Sequence, residues 1–493
     1  MHPDTQRRFR VSDNLDELRA ALDAPFEKWA VFLHPSQRAA VERSYGGPAR
    51  IVGSAGTGKT VVALHRVARL LETKPDAKVL LTTFSEPLSK ALRKKLRILV
   101  GDRPALLERV QIGSFERVAA ELYELATSRA FHLAKAQVIT AQLGEAAKNA
   151  GVTEVTQQFL RSEWTNVVDA WQLESAVAYG EVPRLGRKSR LGARQRERLW
   201  PVFDSVRKYL AARALLTEAG LFAATAAIYA QRDNKPFTHI VVDEAQDLGV
   251  PELRFLASIA PKEPDALFFA GDLGQRIFRQ PFSWKTLGVD VRGRSVTLKV
   301  NYRTSHQIRM AADRLLPASV RDVDGIEDNR QGTISIFDGP EPEIIVAPDV
   351  AGERAAVATR LQSAISDGYS PSDIGVFVRS EDELPRARAA VRDAGLAARS
   401  FVDGGSPREV LVGTMHLAKG LEFRMVITMA CDEAILPAQG RLKQIADDYD
   451  LGEVLRTERQ LLYVALTRAR DRLIVSAVAP ASEFVEELSR PLG

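Results

Sequence analysis

The chain has 493 residues, 45% of them hydrophobic and 27% charged, with a formal net charge of +5. That size allows roughly two to four domains with real cores, and the composition excludes disordered and collagen-like classes. One cysteine (Cys431, expected in a core) excludes a disulfide framework and a Cys/His zinc site, no apolar run reaches the roughly 18 residues of a membrane span, and the polar start Met1–Arg10 lacks a secretion pattern, so a reducing, cytoplasmic setting is expected.

In chain order, residues 1–30 form an N-terminal segment with a short helix expected around Leu15–Leu22. A strand at Ala49–Val52 then runs into Gly53-Ser54-Ala55-Gly56-Thr57-Gly58-Lys59-Thr60, followed by a helix from Val61 to Leu71. The octapeptide fits G-x-x-x-x-G-K-[ST], a turn whose backbone amides and following helix N-terminus cradle the phosphates of a nucleotide. Lys59 is placed to reach the β- and γ-phosphates and Thr60 to ligate magnesium, so ATP and Mg2+ are the expected ligands.

Further strands are expected at Lys78–Thr83 and Val110–Gly113, with Lys90, Arg93, Lys94, Lys95 and Arg97 on the helix between them; helical spacing puts Lys90, Arg93, Lys94 and Arg97 on one face. From Phe115 to Arg232 the pattern is helical with no convincing strand, which reads as an insertion (115–232) in the first domain (31–114 and 233–300). It carries a basic cluster of Arg184, Arg187, Lys188, Arg190, Arg194, Arg196, Arg198, Arg207 and Lys208, expected to meet phosphates.

At 239–247 the chain reads His-Ile-Val-Val-Asp-Glu-Ala-Gln-Asp, an apolar strand ending in acids. In a phosphate-loop enzyme the first acid, Asp243, holds magnesium, and the next, Glu244, accepts a proton from the attacking water. Strands at Ala266–Ala270 and Val296–Val300 close this series. A second series occupies 301–493, with strands expected at Thr333–Phe337, Ile374–Val378, Ala398–Phe401, Val410–Thr414, Met425–Met429 and Arg472–Ala477. The fold class is therefore α/β, with two parallel sheets and a ligand crevice between them.

The order of motifs resembles the UvrD, PcrA and Rep group of superfamily 1A helicases from about Leu33 to Val478. Leu33-His34-Pro35-Ser36-Gln37 is similar to the Q motif, which implies that Gln37 reads the adenine edge. Thr82-Thr83-Phe84-Ser85 resembles motif Ia and Gly113-Ser114-Phe115 the Gly-Thr-Phe element, which implies DNA contacts at Thr83, Phe84, Ser114 and Phe115. Gly271-Asp272-Leu273-Gly274-Gln275 resembles motif III, with Gln275 as γ-phosphate sensor. Asn301-Tyr302-Arg303 resembles motif IV, which implies a base-stacking Tyr302 and a γ-phosphate arginine, Arg303. Thr414-Met415-His416-Leu417-Ala418-Lys419-Gly420-Leu421-Glu422-Phe423 resembles motif V, with Thr414 and His416 toward DNA, Gly420 near the phosphates and Glu422 on the ribose. Tyr463-Val464-Ala465-Leu466-Thr467-Arg468-Ala469-Arg470 resembles motif VI, with Arg468 as the second γ-phosphate arginine. The resemblance implies two RecA-like motor domains, with Lys59 and Glu244 on the first facing Arg303 and Arg468 on the second. Arginine suits such a clamp because its planar fork stays charged and donates bidentately.

Two departures stand out. After Gln275 the family's aromatic is kept at Phe278, but Gln280 replaces the DNA-stacking tryptophan; Phe282 or Trp284 is expected either to take over or, equally, to pack in the core. The family's large accessory domain is expected to be reduced to a turn near 402–408, and the chain closes at Gly493 soon after motif VI. The resemblance implies a 3′ to 5′ single-stranded DNA translocase or helicase acting on 3′-tailed duplex. The alternative is a nucleotide-gated subunit that controls a partner nuclease or a repair or defence complex without unwinding duplex itself.

Overall fold

The computed structural model describes residues 33–182, 191–272, 281–400, 408–442 and 448–489. Two six-stranded parallel sheets dominate it. The first contains β1 (Ala49–Val52), β2 (Val79–Thr83), β3 (Val110–Ser114), β4 (His239–Val242), β5 (Leu267–Ala270) and β6 (Ser295–Thr297), in the order β3-β2-β4-β5-β1-β6. Alternate side chains leave opposite faces of a strand, and both faces here are covered. Leu80, Ile240, Val242 and Phe269 enter one buried cluster, and Leu81, Val241, Phe268 and Ala270 enter the other.

The second sheet contains β7 (Glu343–Ala347), β8 (Ile374–Val378), β9 (Ala397–Arg399), β10 (Glu409–Thr414), β11 (Phe423–Thr428) and β12 (Ala469–Val478), in the order β7-β12-β11-β8-β10-β9. The same alternation sends Val376, Val412 and Ile427 to one core and Phe377, Leu411 and Val426 to the other. These are the two RecA-like sheets that the resemblance implied.

Three local expectations are corrected. Strand β7 lies in Pro-Glu-Pro-Glu-Ile-Ile-Val-Ala-Pro, where prolines on both sides read as loop and mask a short edge strand. The strand expected at Thr333–Phe337 is confined to Ile334–Ser335 and pairs with Val300–Asn301, outside either large sheet. Within the helical insertion, His132–Leu133 and Leu215–Leu216 form a two-residue parallel pairing, too short to leave a pattern in sequence.

The insertion has its own core, built around Trp164, Tyr179 and Phe203. A hairpin of Ser319–Arg321 and Glu327–Asn329 follows the second domain's first helix, His306–Asp313, but packs on the first domain. Its Ile326 rests against the first domain's core, and Asp322 pairs with the buried Arg50 of β1 at 2.9 Å. The expected helix at Leu15–Leu22 and, save for Arg408, the turn at 402–408 lie outside the described residues. No described helix is long and apolar enough to cross a membrane.

Candidate active site

In a parallel sheet all C-terminal strand ends share one edge, so the loop after β1 and the acidic turn after β4 come together with β5 between them. Glycine is required in that loop: Gly56 and Gly58 have φ of 80° and 79°. A Cβ on Gly56 would run into the Asn301 side chain and one on Gly58 into Gln37. Lys59 opens the helix Lys59–Thr73, and its Nζ donates to the carbonyls of Gly53 and Ser54 at 2.8 and 2.9 Å. Gln37 braces the same loop, its Nε2 donating to the Thr57 carbonyl at 3.1 Å while its Oε1 accepts from the His34 N–H at 3.1 Å.

Thr60 Oγ1 donates to Asp243 Oδ2 at 2.9 Å, which joins the loop to the acidic turn. Burial, and then the adjacent Glu244, raise the Asp243 carboxyl above the usual carboxylate range. Glu244 sits in the left-handed region (φ 57°), an uncommon conformation for a glutamate, which turns its side chain into the cleft. Burial works against its ionisation, yet Lys419, Lys59 and Arg468 outweigh that and hold it below the ordinary value.

The second domain supplies the facing wall through the N-terminal ends of β11 and β12. Glu422 precedes β11 and Arg468 precedes β12, and Tyr302, Arg303 and Gly420 line the same cavity. Arg303 is ion-paired to Glu422. Arg468 is 2% exposed and anchored by its Nε to the Val464 carbonyl at 2.9 Å. Burial, then the nearby Arg303, push its guanidinium down to about 10. One cavity thus gathers Gln37, Gly56, Gly58, Lys59, Thr60, Asp243 and Glu244 with Tyr302, Arg303, Gly420, Glu422 and Arg468. Gly53, Ser54, Ala55 and Thr57 complete the loop, and Gln275 lies outside the described residues.

The residues assigned to DNA are more scattered. Thr83 and Ser114 are register partners at the ends of β2 and β3, and Thr414 ends β10, with His416 half-buried beyond it. Phe84 is 39% exposed and presents a ring to solvent. Phe115 does not: it is 3% exposed in the core beside Val118 and Leu122, and Ser114 caps its helix. Phe282 and Trp284 are corrected for the same reason, since both are buried in the first domain and neither ring face is open to a base. Phe278 lies outside the described residues.

The basic patches are also revised. Arg184, Arg187, Lys188 and Arg190 fall outside the described residues. Arg198 pairs with Glu154, Arg207 and Lys208 pair with Asp204, and Arg196 donates to the Tyr179 carbonyl, so this part of the cluster has local structural partners. On the helix Glu86–Val100, Lys90, Lys94 and Arg97 are exposed on one face. Arg93 turns inward to the Ile112 carbonyl, and Lys95 joins the cavity wall.

Other residues of the same motifs hold the site together. Asn301 Oδ1 accepts from the N–H groups of Arg303 and Thr304 at 2.9 and 3.1 Å, setting the backbone that carries Arg303. Tyr463 packs with Ala55 of the phosphate loop in one buried cluster. Gln246 bridges Glu244 and Asp272, and Lys419 reaches Asp247 across the cleft. Only their position within the motif strings could have signalled them.

Two family models match the chain. Residues 33–282 match the UvrD/REP helicase N-terminal domain, and residues 388–479 match the UvrD-like helicase C-terminal domain. The chain is 24% identical over 379 residues to the ATP-dependent DNA helicase UvrD2 of Mycobacterium tuberculosis (strain ATCC 25618 / H37Rv), covering 71% of this chain and 52% of that protein. It is 23% identical over 380 residues to the putative ATP-dependent DNA helicase YjcD of Bacillus subtilis (strain 168), covering 71% and 46%. A stretch of 67 residues is 40% identical to the ATP-dependent DNA helicase PcrA of Staphylococcus epidermidis (strain ATCC 12228 / FDA PCI 1200), covering 14% and 8%. The chain spans about half the length of the first two relatives.

Proposed function

The chain belongs to the UvrD/REP helicase family, and from that membership we propose that it is an ATP-driven motor on single-stranded DNA, moving 3′ to 5′ and hydrolysing ATP between its two RecA-like domains. The observation that carries this reading is the single cavity with Lys59, Thr60, Asp243 and Glu244 on one wall and Arg303 and Arg468 on the other. Charge developing on a transferred phosphoryl group is stabilised by fixed cations, and here the cations come from both domains. Binding of the triphosphate therefore favours closure, and its loss favours opening, which is the two-state element a motor needs.

The residues present suit a magnesium–nucleotide complex. Gly56 and Gly58 line the cavity with bare backbone, and among the described residues the buried Ser54 Oγ has no hydrogen-bond partner. Among the described residues no cluster of three or more His, Cys, Asp or Glu side chains could hold a metal. A cation would rest on Asp243 and Thr60, in keeping with magnesium's habit of taking few protein oxygens and keeping waters and phosphates. Bound there, magnesium would supply positive charge to phosphate oxygens. Glu244 would accept the proton of the attacking water, and Arg303 and Arg468 would orient and neutralise the γ-phosphate.

ATP turnover measured with and without single-stranded DNA, together with displacement of a strand from 3′-tailed duplex, tests the proposal. Stimulation by DNA with displacement is expected. Turnover indifferent to DNA would instead favour a nucleotide-gated subunit serving a partner nuclease or repair complex. Glu244→Gln should keep nucleotide binding while lowering turnover by about a hundredfold or more, as general-base loss does.

A further inference from the structure

Lys419 belongs to the second domain but its ammonium lies in the first. It follows the turn Met415–Ala418, whose Met415 and Ala418 are fully buried in the second domain's core, so its backbone is fixed there. Its Nζ meets Asp247 Oδ2 at 2.6 Å and stands 3.9 Å from Glu244 Oε2. Asp247 is 1% exposed and Lys419 9%, so the pair is withdrawn from water.

Asp247 and Glu244 share one turn. The Asp247 N–H donates to the Glu244 carbonyl at 3.0 Å, and the short helix Ala245–Asp247 joins them. A force on the Asp247 carboxylate is therefore transmitted to the left-handed residue that carries the proposed base. We propose that Lys419 is a positioning residue: by pairing with Asp247 across the domain boundary, it sets the Glu244 turn for hydrolysis when the domains are closed. This role rests on the ATPase reading above.

The physical basis is the asymmetry of buried charge. With the domains together, each ion has its partner inside a poorly hydrated interface. When they separate, Asp247 gives up its pairing with Lys419, and the turn loses the restraint that came from the second domain. Domain closure and the placement of Glu244 are thereby one event, and contact between Lys419 and the phosphates is not required.

Steady-state ATPase of the full chain tests this, using Lys419→Met, Lys419→Arg, Asp247→Asn and the Lys419→Met/Asp247→Asn double variant, with melting temperatures to confirm folding. The wild type is measured first, because a wild type without turnover would overturn the ATPase reading and this role with it. With an active wild type, Lys419→Met and Asp247→Asn should each lower kcat by about tenfold while KM for ATP stays within about twofold. Lys419→Arg should recover most of the loss, and the double variant should be no worse than the weaker single, as expected for two members of one pair. Asp247→Asn is nearly isosteric and keeps the test valid if Lys419→Met folds poorly. Unchanged kcat in Asp247→Asn, a raised KM with kcat preserved, or additive losses in the double variant would each overturn the proposal.

Discussion

Gln246 Oε1 accepts the backbone N–H of Asp272 at 2.9 Å, tying the acidic turn after β4 to the end of β5. Its amide nitrogen donates to the Glu244 carboxylate, so one side chain orients the proposed base and fixes the start of the next loop. The approach is close enough that a Cβ on Gly271 would lie 2.6 Å from Gln246 Oε1. Gln246→Ala leaves the Asp272 N–H without this acceptor in a buried site, a cost of about 1–3 kcal/mol. A lower melting temperature and about a tenfold fall in kcat are expected, with nucleotide affinity little changed. Normal turnover in that variant would show that Glu244 needs no such restraint.

Gly56 links the loop to the second domain's arginine. At φ 80° an alanine would be strained by about 1–2 kcal/mol on backbone grounds alone. Its Cβ would also collide with Asn301, whose Oδ1 holds the N–H of Arg303. Gly56→Ala should therefore raise KM for ATP and lower kcat together, because the cradle and the position of Arg303 are both disturbed. Gly46→Ala, with nothing within 4 Å of its Cβ, serves as the neutral comparison.

His239, at the start of β4, gives the fold a dependence on pH that is independent of the cleft. Lys74 Nζ lies 2.9 Å from His239 Nε2, and the ammonium can only donate, so Nε2 is the acceptor and Nδ1 carries the hydrogen toward Thr238 Oγ1 at 2.8 Å. Burial and then the charge of Lys74 push the imidazole down to about 4 from its usual 6.5. Between those values the unfolded chain binds the proton more readily than the folded one, so stability falls as pH drops from about 6.5 to about 4. Urea midpoints across that range should decline less steeply in His239→Gln than in the wild type. Parallel slopes would exclude His239 as the source.

The sheets and the grouping of the loop and acidic motifs around one cavity are legible because both depend on local rules. Short continuous apolar runs such as Ile240–Val242 specify strands buried on two faces, and the phosphate loop has to be written in glycines. What escaped reading depends on contacts between distant segments. The hairpin at 319–329 follows a second-domain helix in sequence yet packs on the first domain through Asp322 and Arg50, a choice made by a partner some 270 positions away. The contacts of Gln246 and Lys419 likewise form only once β4, β5 and the turn after β10 meet. Phe115 was misassigned because its motif fixes where the ring sits along the chain, while the helix it begins decides which way the ring points.

Trp284 shows the same limit and yields a last test. Its ring packs edge-on against Phe269 at 4.8 Å between centroids, the Arg50 guanidinium lies 5.6 Å from it, and its backbone N–H donates to Asp324 Oδ2 at 2.7 Å. These contacts place it where the hairpin is fastened to the first domain, which is a structural task. Trp284→Ala should destabilise the chain by about 3–5 kcal/mol, the usual range for emptying such a site. Trp284→Phe keeps an aromatic ring against Phe269 and should retain single-stranded DNA affinity within about twofold, because base stacking worth about 1–3 kcal/mol is not being lost. A well-folded Trp284→Phe that binds DNA tenfold more weakly would return the ring to the DNA path. Retained affinity leaves Phe84, a residue 39% exposed just after β2, as the aromatic next to be tested.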